Sequence, residues 1–247
     1  MTSTVLTPSD LAPNFGTLAQ RIKEEIHRAR SLDDDFAKKA VCSAIQHYSG
    51  QRFHFNEGTH SFLTVASQGE YGQESSLGAN DGYSEAMLRP DVVVLERSTN
   101  WRYPLDRISY NEYASRRAWI TTTGYPCCWT WHRRKMFLWP FPSTAAWEVI
   151  IDFVKDIGTP IAKYASGAWS YVESTTGDSV TDNWTSDWFK FAEELIRARA
   201  EWDIYMNVLN DVQRAETAKM VEKGALDAVV GDSDNFQQGG SVVPWGW

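Results

Sequence analysis

The spacing of apolar residues changes twice along the chain, and this change constrains the fold more than any other feature. Behind Asn14, a predicted N-cap, apolar residues recur at three- and four-residue steps as far as Tyr48. In the middle of the chain they alternate every second residue, as from Trp147 to Phe153. The helical period returns towards the C-terminus, on the face that begins at Trp184. The sequence therefore predicts helices, then strands, then helices.

This order predicts an α+β protein with one discontinuous unit. The N- and C-terminal helices are expected to form a helical bundle, with an inserted antiparallel β-domain between them and an extended C-terminal arm after them. In chain order, the predicted parts are the N-terminal helices at 1–50, the β-domain at 51–157, a loop rich in Gly, Ser and Thr at 158–181, the C-terminal helices at 182–223 and a flexible arm at 224–247.

Several elements can be predicted within these parts. The alternation of Phe53 and Phe55 with polar residues predicts a strand, and the glycine-rich segment 68–84 predicts a loop. Cys128–Thr130 and Met136–Trp139 form the clearest predicted hairpin. The remaining predictions are a short helix at 109–118, one continuous helix face from Trp184 to Met206, and a last helix from an Asp211 cap to about Lys223.

The predicted arm has an unusual composition. Residues 224–247 contain five Gly, three Asp and no Lys or Arg, and such a segment cannot bury enough apolar surface to fold alone. It nevertheless ends in the apolar run Val242-Val243-Pro244-Trp245-Gly246-Trp247. One interpretation is a spacer whose apolar end becomes ordered on a partner. The other is a frayed tail that folds back on its own domain.

Charge and cysteine content limit the environment and the partners. The chain has 24 Lys and Arg against 32 Asp and Glu, a net charge of −8, which disfavours tight binding of a phosphate backbone. Its three cysteines, Cys42, Cys127 and Cys128, cannot form a disulfide framework, so a reducing compartment is expected. Neither a signal peptide nor an apolar run of membrane-spanning length is recognisable, so we expect synthesis in the cytoplasm and no membrane association.

No catalytic motif is found, and the sequence predicts neither an enzyme nor a cofactor. His47, His54 and His60 could in principle converge on a metal, but histidines near strands are more often structural, and we predict no metal site. The 12 Trp residues suggest mostly core packing, with a minority in subunit contacts. One basic cluster, Arg133-Arg134-Lys135, is expected at a hairpin tip, where it is either solvated or contacts an acidic neighbour or DNA.

A series of short motifs runs through the predicted β-domain: Leu88–Asp91, Tyr103–Leu105 with Ile108–Ser109, Gly124–Pro126, and Met136–Pro142. This series resembles the head-to-tail adaptor (head completion, or connector) proteins of tailed bacteriophages. A helix that ends near an Asp-capped second helix, Leu195–Ala200 followed by Asp211 to Ala215, is also similar to the family. The resemblance covers about residues 14–223, and the order and spacing of the motifs carry it. Segments 68–84 and 158–181 are longer than in the family pattern and could be additional tail contacts.

The resemblance implies a non-enzymatic virion structural protein at the head–tail junction. Such a protein would form a homo-oligomeric ring, expected to be a dodecamer, between the portal protein and the tail tube or nozzle, and would line the channel for genome ejection. DNA would pass without tight binding, through a lumen that is acidic if the acids face inward. By analogy the arm would bind the portal, and the residues expected to do so are Phe236, Val242, Val243, Pro244, Trp245 and Trp247. Arg133, Arg134 and Lys135 would contact tail or DNA.

Two other functions remain open from the sequence alone. Exposed tryptophans on a β scaffold would suit a glycan-binding module of a phage tail, because sugars stack on aromatic faces. Acid pairs such as Glu24-Glu25 and Glu193-Glu194 would suit a cell-wall hydrolase, although helix capping and solvation explain them more simply. Neither alternative accounts for the order of helices, sheet, helices and arm.

Overall fold

The fold is that of an α+β protein with mixed sheets. The computed structural model describes residues 13–26, 34–72, 87–98, 101–119, 122–144 and 147–239, which contain six helices and twelve strands. The chain divides into two compact units. The helical unit comprises residues 1–55 and 156–247, and the β unit comprises residues 56–155.

The chain leaves the helical unit once, for the β unit, and then returns to it. The helices are α1 (Phe15–Glu25), α2 (Asp34–Tyr48), α3 (Tyr110–Trp119), α4 (Asp187–Phe191), α5 (Glu193–Asn207) and α6 (Val212–Gly239). The strands are β1 (Glu57–Leu63), β2 (Glu70–Gly72), β3 (Met87–Ser98), β4 (Trp101–Pro104), β5 (Asp106–Arg107), β6 (Thr123–Gly124), β7 (Cys128–His132), β8 (Lys135–Trp139), β9 (Phe141–Pro142), β10 (Glu148–Lys155), β11 (Pro160–Ala165) and β12 (Ala168–Glu173).

Helices from both ends of the chain share one apolar core in the helical unit. The predicted N-cap at Asn14 is confirmed, because its side chain accepts a hydrogen bond from the Thr17 amide while the Thr17 hydroxyl accepts one from the Asn14 amide. The core combines buried side chains from α1, α2, α4, α5 and α6, including Phe15, Ile45, Trp188, Ile204 and Ala215. Residues almost 200 positions apart are therefore packed together.

Three predictions in the helical unit are wrong. Phe53 and Phe55 are not in a strand, because both rings pack against Trp188 in the helical core and His54–Asn56 forms a 3₁₀ turn. The expected continuous helix after Trp184 is broken at Ala192, which has φ −137°. The segment 158–181 is not simply a loop, since it contains the paired strands β11 and β12.

The largest correction concerns the predicted flexible arm at 224–247. The last helix begins after Asp211 as expected but continues beyond Lys223, through Gly239. Val229 and Ser233 are buried, and Leu226 packs against the helical core, so tertiary contacts outweigh the helix-breaking tendency of the glycines in this segment. Residues 240–247 lie outside the described residues.

The described residues of the β unit form two four-stranded sheets and one small strand pair. The first sheet has the antiparallel order β1-β10-β3-β4, and the second has the order β2-β8-β7-β5. The sequence predicts a β-domain that is antiparallel throughout. This prediction is wrong for two strand pairs, because β5 pairs in parallel with β7 and β6 pairs in parallel with β9. Strand β2 also lies within the segment 68–84 that was predicted to be a loop. The core between the strands includes Tyr71, Leu95, Trp129, Leu138 and Ile151.

Candidate interaction surfaces

The basic hairpin tip, residues His132 to Lys135, joins β7 to β8 in the β unit. Because His132 pairs with Lys135, only Arg133 and Arg134 form the turn, and both are exposed. Their φ angles are +50° and +59°. Two consecutive positive values are typical of a type I′ turn, which usually contains Asn-Gly or Gly-Gly. The structure thus presents two guanidinium groups from a conformation that arginine seldom adopts.

Aromatic and ionic contacts support both sides of this tip. On the β7 side, the His132 ring stacks on Tyr110, the first residue of α3, with ring centroids 3.9 Å apart and an interplanar angle of 17°. On the β8 side, Lys135 Nζ lies 2.7 Å from a Glu70 carboxylate oxygen on β2. Of the three predicted basic residues, Lys135 therefore forms an ion pair within the β unit, and Arg133 and Arg134 are the exposed residues of the turn.

The other predicted site, the C-terminal arm, lies mostly outside the described residues. This applies to Val242, Val243, Pro244, Trp245 and Trp247. Phe236 belongs to α6, but its side chain also lies outside the description. Within the predicted arm, Ser233 is anchored: its buried hydroxyl accepts a hydrogen bond from the His54 amide (3.1 Å) and donates one to the Val229 carbonyl (2.8 Å).

A second exposed surface is an aromatic patch formed by Phe36, Tyr164 and Trp169. Tyr164 on β11 and Trp169 on β12 face each other with ring centroids 4.9 Å apart, and Tyr164 is 62% exposed. Lys39 Nζ lies 3.4 Å from the centroid of the Trp169 ring and 5.0 Å from that of Phe36. The Lys39 ammonium therefore covers one face of the Trp169 indole and joins the β11–β12 pair to α2 by cation–π contacts. Sequence reasoning missed this patch, since only Trp169-Ser-Tyr171 within 158–181 suggested a strand.

A groove of about 650 Å³ lies between α2, α5 and α6. At its base, the buried Glu222 carboxylate accepts a hydrogen bond from the Tyr48 hydroxyl and lies 3.4 Å from Arg199 Nη1. Burial and the adjacent Glu222 raise the pKa of Tyr48, so the hydroxyl keeps its proton and remains a donor. Burial and the positive charge of Arg199 lower the pKa of His47, another lining residue. This network connects one residue from each of three helices.

A second charged cluster surrounds Arg197 on α5. Its guanidinium contacts Glu25 at 2.6 Å and also Glu194, while Nε lies 4.0 Å from Glu201. Burial and the neighbouring Glu25 raise the pKa of Glu201 to about 8. Three carboxyl groups thus surround one guanidinium, and the arrangement favours retention of one proton near neutral pH.

The histidines considered as metal ligands do not converge. His54 contacts Ser233, His47 lies beside the groove, and His60 is in β1 of the other unit. Across the described ranges, no group of three or more His, Cys, Asp or Glu side chains has a metal-binding arrangement. Cys127 and Cys128 are free thiols whose sulfur atoms lie 3.4 Å apart.

No protein-family model matches the chain, and no curated protein sequence matches it either. Within the described part of the chain, no helix combines the length and the apolar character needed to cross a bilayer. The interpretation of function therefore depends on the chain's own geometry and on the motifs described above.

Proposed function

We propose that the protein is a non-enzymatic head-to-tail adaptor of a tailed-phage virion. In this role, copies form a ring, expected to be a dodecamer, between the portal protein and the tail tube or nozzle. The observation that carries the proposal is the organisation of the chain. Helices from both ends share one core, a β unit is inserted between them, and the last helix leads into an apolar terminal segment. The motif resemblance over residues 14–223 supports the same assignment.

The distribution of charge supports a role as a DNA conduit. The β unit contains 10 Lys and Arg against 11 Asp and Glu, whereas the helical unit contains 14 against 21. Nearly all of the net negative charge therefore belongs to the helical unit. Acidic side chains that face a channel would repel phosphate and allow DNA to pass. We expect a ring structure to have a predominantly acidic lumen, and a basic channel would contradict this part of the proposal.

Mass measurement tests the proposal directly. The purified protein should be measured alone and after incubation with the portal protein of the same virus, by light scattering and native mass spectrometry. A defined ring on the portal is the expected result. If the protein remains monomeric at high concentration and never associates with portal, the proposal is wrong.

A truncation tests the role proposed for the arm. Deletion of residues 242–247 should leave the subunit folded, because it removes no residue of α6, which ends at Gly239, but should weaken co-sedimentation with portal particles. The matched control is the substitution Tyr164→Ser in the aromatic patch, which changes an exposed aromatic residue on the same unit and leaves the arm intact. Equal co-sedimentation of the truncated and full-length proteins would remove the arm from the proposal.

The structure gives less support to the glycan-binding alternative. Among tryptophans with described side chains, Trp129, Trp147 and Trp188 are buried, and only Trp169 is exposed. Lys39 covers one face of that exposed ring. A sugar stacking on that face would have to displace the ammonium, so we retain the adaptor as the proposed function.

A further inference from the structure

We propose that the groove between α2, α5 and α6 is a docking site for the C-terminal segment of the same chain. In this arrangement, residues 242–247 turn back along α6 and place the Trp247 side chain in the groove. The inference goes beyond the proposed function, because it concerns the isolated subunit and depends on neither the portal protein nor a ring. For an arm that binds the portal, the groove is the site that the arm occupies before assembly.

The groove is large enough and apolar enough to take an aromatic side chain. Its volume of about 650 Å³ lies within the range of sites that enclose small organic ligands. Met220 and Leu226 supply apolar surface from α6. Met220 is 69% exposed, and apolar surface of this kind beside a groove is typical of a binding site.

The charges of the groove suit an aromatic occupant that carries no charge. Lys219 and Lys223 lie one turn apart on its wall, where an ammonium group can cover the face of an indole ring. The buried Glu222 carboxylate already accepts a hydrogen bond from Tyr48, so it does not require a cationic ligand. Residues 240–247 contain two tryptophans and no charged residue.

A row of residues on α6 leads from the groove towards the end of the helix. Lys223, Leu226 and Val230 follow one another at steps of four or three residues and therefore share one side of α6. These three residues are called the α6 row. Val230 is apolar and 41% exposed, so the row extends the apolar surface of the groove towards Gly239, where α6 ends.

The length of the terminal segment matches the α6 row. At 1.5 Å per residue, Leu226 lies about 20 Å and Lys223 about 24 Å before Gly239 along the helix axis. Eight residues follow Gly239. When the reversal of direction uses one or two of them, the rest span about 20–25 Å in an extended conformation. Trp247 therefore reaches the near end of the groove, whereas Glu216 at its far end, about 35 Å away, is out of reach.

The pattern of the segment also matches the row. In an extended conformation alternate side chains point to the same side, so Val243, Trp245 and Trp247 share one face. They are spaced by about 6.6 Å, close to the rise of about 5.4 Å per helical turn that separates members of the α6 row. Successive apolar side chains of the segment can therefore face successive members of the row.

Photochemical cross-linking of the full-length protein tests the proposal. The photoreactive residue p-benzoylphenylalanine replaces Trp247, and equal amounts of unlabelled protein and protein labelled with heavy nitrogen are mixed before irradiation. We expect cross-links from the terminal peptide to α6 or α2, with both peptides carrying the same isotope. Cross-links between different isotopes would identify a second copy as the occupant. That result overturns the proposal, as do cross-links confined to other parts of the protein or a lack of cross-links.

A matched pair of substitutions on α6 gives a second measurement. Val230→Glu places a charge in the α6 row, whereas Val221→Glu makes the same change about two and a half turns away, on the opposite side of the helix. The two valines are similarly exposed, 41% and 43%, so neither substitution should disturb the core. We expect the cross-link yield to fall about tenfold in Val230→Glu, because the segment would cover a charge, and to be unchanged in Val221→Glu. Equal yields in the two variants overturn the proposal.

A free peptide shows whether the groove is already occupied. A fluorescent peptide with the sequence of residues 240–247 is titrated against the full-length protein and against the protein truncated after residue 241. Because the attached segment has an effective concentration of about 1 mM, we expect the full-length protein to bind the peptide about tenfold more weakly than the truncated protein does. Equal affinities, or no binding to a truncated protein whose α6 amides remain protected from hydrogen exchange, overturn the proposal. If the truncated protein is unfolded, the cross-linking decides. The portal is absent from these measurements, so their failure leaves the proposed function intact.

Discussion

Replacing Tyr48 with Phe tests whether the buried network at the base of the groove holds α2, α5 and α6 together. The Tyr48 hydroxyl donates to the Glu222 carboxylate, which also lies 3.4 Å from Arg199 Nη1. Tyr48→Phe keeps the ring and its packing but removes the donor. The carboxylate, with its side chain only 9% exposed, then loses one of two partners.

The expected loss can be worked out from the types of group involved. A hydrogen bond to a charged group contributes about 1.5–3 kcal/mol to stability. We therefore expect the free energy of unfolding of the helical unit to fall by about 2 kcal/mol. In urea this corresponds to a decrease of roughly 1 M in the unfolding midpoint.

Hydrogen–deuterium exchange should accompany the urea measurement, because two compact units can unfold separately. Amides of α6 should lose protection in the variant, whereas those of β10 in the β unit should not change. The control is Tyr164→Phe, which removes the hydroxyl of a largely exposed tyrosine in the helical unit. If Tyr48→Phe and Tyr164→Phe have the same midpoint as the unmodified protein, the network does not stabilise the helical unit and the reasoning is refuted.

Three further perturbations test other parts of the helical unit. The pKa of Glu201 is about 8 in the folded protein and 4.5 in the unfolded chain. The protonated Glu201 side chain therefore contributes its full stabilisation below pH 4.5, and this contribution is lost as the pH rises towards 8. Glu201→Gln should therefore reduce the fall of the urea unfolding midpoint over this pH range. Asn14→Ala should lower stability by about 1 kcal/mol, measured as a lower melting temperature, by removing the cap. Gly16→Ala should also lower the melting temperature, since its Cβ would lie 2.7 Å from Asp182 Cβ, whereas Gly50→Ala meets nothing within 4 Å and should not.

Local signals in the sequence predicted several elements well. The Asn14 cap, the Asp211 cap and the short helix α3 depend on contacts within a few residues, which a sequence pattern records directly. The hairpin around Arg133 and Arg134 was also predicted, because two short apolar segments flank a basic turn. Its strained conformation was not predictable, since propensity argues against arginine at both positions.

Long-range packing explains the predictions that failed. Phe53 and Phe55 alternate as a strand would, but both rings pack against Trp188, a residue of α4 that lies more than 100 residues further along the chain. Residues 224–239 have glycines that argue against a helix, yet Val229 and Ser233 gain burial by continuing α6. The aromatic patch was missed because its residues come from α2, β11 and β12, which no local window contains.

The anchoring of α6 makes the role of the arm experimentally separable from the stability of the fold. The helix has 28 residues and spans about 42 Å, and buried or partly buried residues recur along it from Ala215 to Ser233. The Tyr48–Glu222 contact fixes it near its middle, and the His54–Ser233 hydrogen bond fixes it one to two turns before Gly239. The C-terminal part of α6 is thus held by the core of the helical unit. Removal of residues 242–247 spares each of these contacts, so any loss of portal binding that follows must arise from the arm itself.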